Sequence, residues 1–190
     1  MHNSNDQKFP RRQVITSLLT GFTIASLAPF AAASSSDHIS DALDTMKPLV
    51  GTTPNAPVET RMGTNSSLTE LIDRPMLVNF WASWCPPCVH ELPQLVKLDQ
   101  ALSEEGMAVM LVGVDRKGRT FAEEFLAERS ITIPQAVHDQ TGAVPRALEI
   151  KVMPTSFLVR PGGALIGKIE GPLQWDDPSV MASVASILKA

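Results

Sequence analysis

The sequence predicts an α/β fold in which a central mixed β-sheet is flanked by helices on both faces. Three observations point to it. The apolar runs Met76–Trp81 and Met107–Val114 are continuous rather than alternating, as expected of strands buried on both faces of a sheet. Stretches with helical spacing follow each of them, giving the order strand, helix, strand, helix, strand. Further on, Pro161-Gly162-Gly163 turns one strand-like run into another, so the sheet gains an antiparallel hairpin. The chain has 190 residues, 44% of them hydrophobic and 19% charged, which is room and composition for one ordinary core.

The chain opens on a different kind of segment. Lys8, Arg11 and Arg12 precede an apolar run, Val14 to Ala28, diluted by Thr16, Ser17, Thr20, Gly21, Thr23 and Ser26. Pro29 closes the run, and Ala31-Ala32-Ala33 supplies small residues before Ser34, so residues 1–33 read as a signal peptide cut after Ala33. The paired arginines and the weakly hydrophobic run resemble a twin-arginine export signal, although Pro10 and Thr16 depart from the fuller motif. The rival is an uncleaved anchor, since 20 residues from Val14 to Ala33 just suffice to cross a bilayer; Pro29 and the polar dilution count against it. Residues 34–57, with Pro48, Pro54 and Pro57, read as a linker in which Ile39, Ala42, Leu43 and Met46 could make one short helix.

The domain then runs over residues 58–190. Val58 to Met62 is expected to form a short strand, and Ser67 with Glu70 three residues later is a capping-box signature for a turn of helix. Met76–Trp81 is the first long strand. Pro86 and Pro87 suit the first helical positions, and Val89, Leu92, Val96 and Leu98 continue at roughly helical spacing. After Met107–Val114, Thr120 and Glu123 are expected to cap a helix carrying Phe121, Phe125 and Leu126. Ile131 to Val137 is expected as a third strand, Ala143 to Leu148 as a short helix, and Thr155 to Val159 with Ala164 to Ile169 as the hairpin. Asp177 and Pro178 start a last helix with Val180, Val184, Ile187 and Leu188 on one face.

The chemistry concentrates in Met76–Pro93. Cys85 and Cys88 are the chain's only two cysteines, delivered by a strand to the start of a helix. As cap of that helix, a Cys85 thiolate faces the positive end of the helix dipole, and Cys88, one turn later, is within reach to form or release a disulfide. This suits thiol-disulfide exchange, with Cys85 attacking and Cys88 resolving. A plain stabilising disulfide and half of a zinc site are the alternatives, but zinc needs four ligands and there is no second cysteine pair. Pro87 removes an amide that could have stabilised the thiolate, leaving chiefly that of Cys88, and this favours a reductant over a strong oxidant. Glu91 shares a helical face with Cys88 and could move a proton or tune the thiol; a solvated surface carboxylate is the commoner fate of such a residue. Trp81 and Trp84 read as core and rim packing, and His90 and His138 as ordinary polar residues. Trp175 has no assigned role.

The segment LVNFWASWCPPC, with Glu91 and Pro93 after it and Met153-Pro154-Thr155 far downstream, resembles the TlpA and ResA branch of extracytoplasmic thioredoxin-like proteins, from about Val58 to the C-terminus. The resemblance implies a thioredoxin-like fold with an N-terminal extension and an inserted αβ unit, which the 65 residues between Cys88 and Pro154 have room for. It implies a periplasmic oxidoreductase that reduces cysteines of protein clients, for example an apocytochrome or a copper-site assembly factor, and that is recharged by a membrane thiol reductant of the DsbD or CcdA type. It also implies that Pro154 is cis and faces a Cys85–Cys88 disulfide, and that Trp84, Pro86, Pro87, Met153 and Thr155 form the client surface. Asn79 stands where many thioredoxins carry a buried Asp, which shifts any acid-base role towards Glu91. Neither a cofactor nor a metal is expected. The other class considered is a copper-binding chaperone using Cys85, Cys88 and His90 or His138, though neither histidine has a spacing that fixes it as a ligand.

Charge narrows the partners. The chain carries 16 basic and 20 acidic residues, net −4, and because Lys8, Arg11 and Arg12 fall in the first 33 residues the remainder is more acidic still. That argues against nucleic acid.

Overall fold

A computed structural model describes residues 46–190. The signal segment and most of the linker, including Ile39, Ala42 and Leu43, lie outside the described residues.

The elements in chain order are β1 (Lys47–Pro48), β2 (Pro57–Thr60), β3 (Asn65–Ser67), α1 (Leu68–Leu71), β4 (Met76–Trp81), α2 (Pro86–Ser103), β5 (Ala108–Gly113), α3 (Arg119–Glu128), β6 (Gln135–His138), α4 (Ala143–Ala147), β7 (Thr155–Arg160), β8 (Ala164–Glu170) and α5 (Pro178–Lys189). The strands form one sheet in the order β1-β8-β7-β4-β5-β6-β2-β3. β4 pairs parallel with β5, and β5 with β6. β4 pairs antiparallel with β7, and β7 with β8. The sheet is therefore mixed, with the run that leads to the cysteines at its centre.

β4 and β5 are buried at every position, as their unbroken apolar runs require. Alternation assigns their side chains to two layers. Leu77 and Trp81 face Leu92, Leu95, Leu98 and Leu102 of α2 and Val180, Val184 and Leu188 of α5. Met76, Val78 and Phe80 face the other way, onto Leu68, Ile72, Val144 and Phe157. Phe80 and Phe157 meet edge to face at 5.8 Å, a geometry that adds to the area they bury.

Local signals operate at two helix starts. The Ser67 hydroxyl accepts from Glu70 N at 3.3 Å while Glu70 accepts from Ser67 N at 3.1 Å, completing the capping box. Ser67→Ala is expected to cost about 1 kcal/mol, read from the urea midpoint, because it strands an amide at a buried helix start. At α5, Asp177 caps by accepting from Ser179 N, and Pro178 takes the first turn.

Four expectations need correction. Thr120 and Glu123 do not cap α3, which starts at Arg119 after Gly118 and has no side-chain cap. Glu123 instead takes an ion pair with Arg61 and meets His138 Nε2 at 2.9 Å, both of which the fold brings beside it. The third strand begins at Gln135, not Ile131, since Pro134 has no amide to give a ladder. The first short strand ends at Thr60, because Arg61 and Met62 make the turn back into β3. Finally, residues 47–53 are not free linker: Lys47 and Pro48 pair with Lys168 and Gly167, Thr52 bridges Ala164, and Thr53 N donates to Gly163 O at 2.8 Å.

Candidate active site

At the end of β4 the chain passes through Ala82 and Ser83 into α2. Asp115, just beyond β5, holds this turn: one carboxylate oxygen accepts from Ser83 N at 2.9 Å and the other from Ser83 Oγ at 2.7 Å. Trp84, next in the chain, stands 65% exposed. Cys85 is the N-cap of α2, with Pro86 and Pro87 in the first turn, where two missing amides leave no helix bond unmade. The Cys88 amide donates to Cys85 Sγ at 3.3 Å, and the two cysteines are joined in a disulfide with Cα atoms 5.3 Å apart. Both cysteines are buried, Cys88 the more deeply.

The Met153–Pro154 peptide bond is cis. Pro154 O accepts from Gly171 N at 2.9 Å, and Thr155 Oγ1 donates to Val152 O at 2.7 Å, which fixes the segment at the head of β7. Met153 packs onto the same core cluster as the cysteines, while Val152 beside it is exposed.

Glu91 is 1% exposed, which removes the solvated alternative. Its Oε1 accepts from Leu173 N at 2.6 Å and from the Trp175 indole N–H at 2.9 Å. Burial pushes the carboxyl up to about 7, against the downward pull of Leu173, Trp175 and, least, Asn79. A carboxyl titrating there exchanges protons at neutral pH one helical turn from Cys88.

Three contributors carry no sequence signal of their role. Trp175 is fully buried, and its backbone N–H donates to Gln94 Oε1 at 2.9 Å, so its indole is held against Glu91 from both ends. Gln94 and Asp115 are legible only once the fold has brought residues 81 and 32 positions apart into contact. By contrast, His138 has its Nε2 engaged by Glu123 at 2.9 Å, so it would have to give up that contact to reach a metal. Among the described residues, no group of three or more His, Cys, Asp or Glu stands together as a metal cage.

Residues 49–184 match the Redoxin family, over most of the chain. The chain belongs to the Redoxin family. Among curated relatives of this Redoxin chain, the thiol-disulfide oxidoreductase ResA of Oceanobacillus iheyensis is 31% identical over 109 residues, covering 57% of this chain and 56% of the relative. ResA of Bacillus subtilis is 27% identical over 120 residues, covering 63% of this chain and 66% of the relative. The matched stretches thus span less than two thirds of both relatives' own length. Among solved structures, StoA from Bacillus subtilis aligns with a TM-score of 0.55 at 25% identity, over 68% of this chain and 98% of that one. A thioredoxin-family thiol:disulfide interchange protein from Chlorobium tepidum aligns with a TM-score of 0.56 at 25% identity, over 73% and 98%. The thioredoxin-like fold and the TlpA/ResA-like relationship expected from WCPPC and its flanks are both borne out.

Proposed function

We propose that this Redoxin protein is a thiol-disulfide oxidoreductase that reduces disulfides of protein clients outside the cytoplasm. The observation that carries the reading is the Cys85–Cys88 disulfide at the start of α2, with the Cys88 amide aimed at Cys85 Sγ. Reduced Cys85, as thiolate, attacks a client disulfide, forming a mixed disulfide and releasing one client thiolate. Cys88 then loses its proton, for which ionised Glu91 is the acceptor, and attacks Cys85 Sγ. The second client thiolate leaves, two electrons have passed to the client, and the protein's disulfide is closed again. Trp84, Pro86, Pro87 and Met153 frame the surface on which the client lies, and Pro154 presents the Met153 backbone to it. Thr155, expected on that surface, is instead fully buried and acts only by holding the segment through its bond to Val152 O.

The direction of electron flow follows from the dipeptide. Pro86 and Pro87 offer no amide to a Cys85 thiolate, so the reduced form is less stabilised than with a donor-rich dipeptide and the disulfide is favoured. Equilibration against a glutathione series tests this. The midpoint is expected nearer thioredoxin, about −270 mV, than DsbA, about −120 mV, and a value at the DsbA end would make the protein an oxidant of its clients. A reductant of this kind needs a membrane thiol donor of the DsbD or CcdA type, and cytochrome c maturation or copper-oxidase assembly supplies clients of the right chemistry.

Export is the remaining part of the proposal, with residues 1–33 as signal, 34–57 leading into the domain and 58–190 as its body. Lys8, Arg11 and Arg12 ahead of the apolar run support it. Replacing Arg11 and Arg12 together by Lys is expected to leave precursor in the cytoplasm; unchanged export would point to the general secretory route.

A further inference from the structure

Four buried side-chain atoms have no partner among the described residues, Glu91 Oε2 and Asn79 Oδ1 among them, and Asn79, alternating with Leu77 and Trp81, lies on the side of β4 that packs against α2, which carries Glu91. Asn79 lies on β4 directly opposite Ser156 of β7, and its Nδ2 donates to Ser156 Oγ at 2.9 Å. All three side chains are almost completely buried, and Asn79 is close enough to Glu91 to bear on its proton affinity.

We propose that Asn79 and Ser156 are positioning residues that form with Glu91 a two-state hydrogen-bond relay, in which the Asn79 amide turns over when Glu91 gains or loses its proton. With Glu91 protonated, Oε2–H donates to Asn79 Oδ1 and Asn79 Nδ2 donates to Ser156 Oγ; the two orphaned oxygens satisfy each other. With Glu91 ionised, the amide is rotated by half a turn, Nδ2 donates to Oε2, and the Ser156 hydroxyl donates to Oδ1. Each arrangement pairs every buried polar atom of the set, which a fixed amide could not do. An Asp at position 79 would place a second carboxyl here, whereas the amide serves either charge state without adding one.

The inference rests on the reading of Glu91 as the proton-exchanging group, and its test is independent of thiol exchange. Glu91's neighbours bring no rival charge. From the loop after β8, Leu173 N and the Trp175 indole donate to it, and Asp176 there is occupied by Lys97 of α2. On α2 the nearest titratable groups are the two cysteines, which are joined as a disulfide, and His90. No ionic group contributes to the upward displacement of Glu91.

The experiment titrates the Glu91 carboxylic-acid C=O stretch by infrared difference spectroscopy on the oxidised protein, with Glu91→Gln identifying the band. The wild-type midpoint is expected near 7. In Asn79→Leu both states lose their bond to the amide, but the charge-assisted bond to the carboxylate is the stronger of the two, so the midpoint should rise by about one pH unit, a tenfold loss of acidity. In Ser156→Ala each state loses one bond, and the midpoint should stay within about threefold of wild type. An unmoved midpoint in Asn79→Leu overturns the relay. Should that variant fail to fold, the wild type still decides: the Asn79 side-chain amide resonances must titrate with the Glu91 midpoint and stop doing so in Glu91→Gln. Amide resonances indifferent to pH would sink the proposal. Failure of the oxidoreductase reading would appear instead as failure of Cys85 to form adducts, whatever the titration shows.

Discussion

A Cys88→Ser variant is expected to stop half-way, with a client covalently held on Cys85. Cys85 sits at the helix start beside the exposed Trp84, whereas Cys88 lies one turn deeper, so the outer sulfur is expected to meet the client and the inner one to release it. Without Cys88 no intramolecular thiol cleaves the mixed disulfide, and turnover should fall by at least about a thousand-fold, the scale on which one member of a covalent catalytic unit is felt. Incubation of the reduced variant with a peptide disulfide, followed by intact mass under non-reducing conditions, reads the result. Adducts on Cys85→Ser and none on Cys88→Ser would reverse the two roles.

Glu91→Gln is expected to make the oxidised protein more stable at pH 8 and nearly unchanged at pH 4. Burial pushes the folded carboxyl up to about 7, from 4.5 in the unfolded chain, so the folded state holds the proton more tightly. A group of this kind supports the fold fully below about pH 4.5 and progressively loses that support as pH rises through 7. After discounting for solvent relaxation the loss amounts to about 2 kcal/mol. Gln keeps an acceptor for Leu173 N and the Trp175 indole and carries no charge, so its stability should not fall across that window. Urea unfolding at pH 4 and pH 8 measures the difference, and parallel profiles for the two proteins would show that Glu91 is not displaced. The same substitution should slow client release above neutrality, where only the carboxylate can take the Cys88 proton.

Much of the domain was legible because its signals are local. Cys85 as cap, Pro86 and Pro87 in the first turn, the Ser67–Glu70 box and the Asp177–Pro178 start each need no more than four consecutive residues to be recognised, and each has the expected geometry. Continuous apolar runs located β4 and β5 for the same reason. Thr120 and Glu123 misled because a capping pattern costs nothing to a residue that finds a better partner; Glu123 found Arg61 and His138, 62 and 15 positions away. β1 carries no signal because two residues have no periodicity, and its partners on β8 lie 121 and 119 positions off. The site divides in the same way. The cysteines announce themselves, but the Glu91–Trp175 contact joins residues 84 apart, and nothing near Trp175 indicates that its indole is a donor to a carboxylate. Asp115 and Gln94 were silent for that reason too.

The outermost strands of the sheet have a bearing on self-association. Among the described residues, β1 is two residues long and includes Pro48, and β3 is three residues long. Lys47 of β1 is moreover tied across to Glu170. An open strand margin is a template for another chain, and an oxidoreductase that engages unfolded or partly folded clients, as proposed, would work among many such chains. Margins this short, one lacking an amide and bearing a cation, give a passing β-segment little to extend. On the proposed function, recruitment of extended chains is left to the cysteine surface, where release is built into the chemistry, and fibrous growth from the flanks is disfavoured even when client concentrations are high.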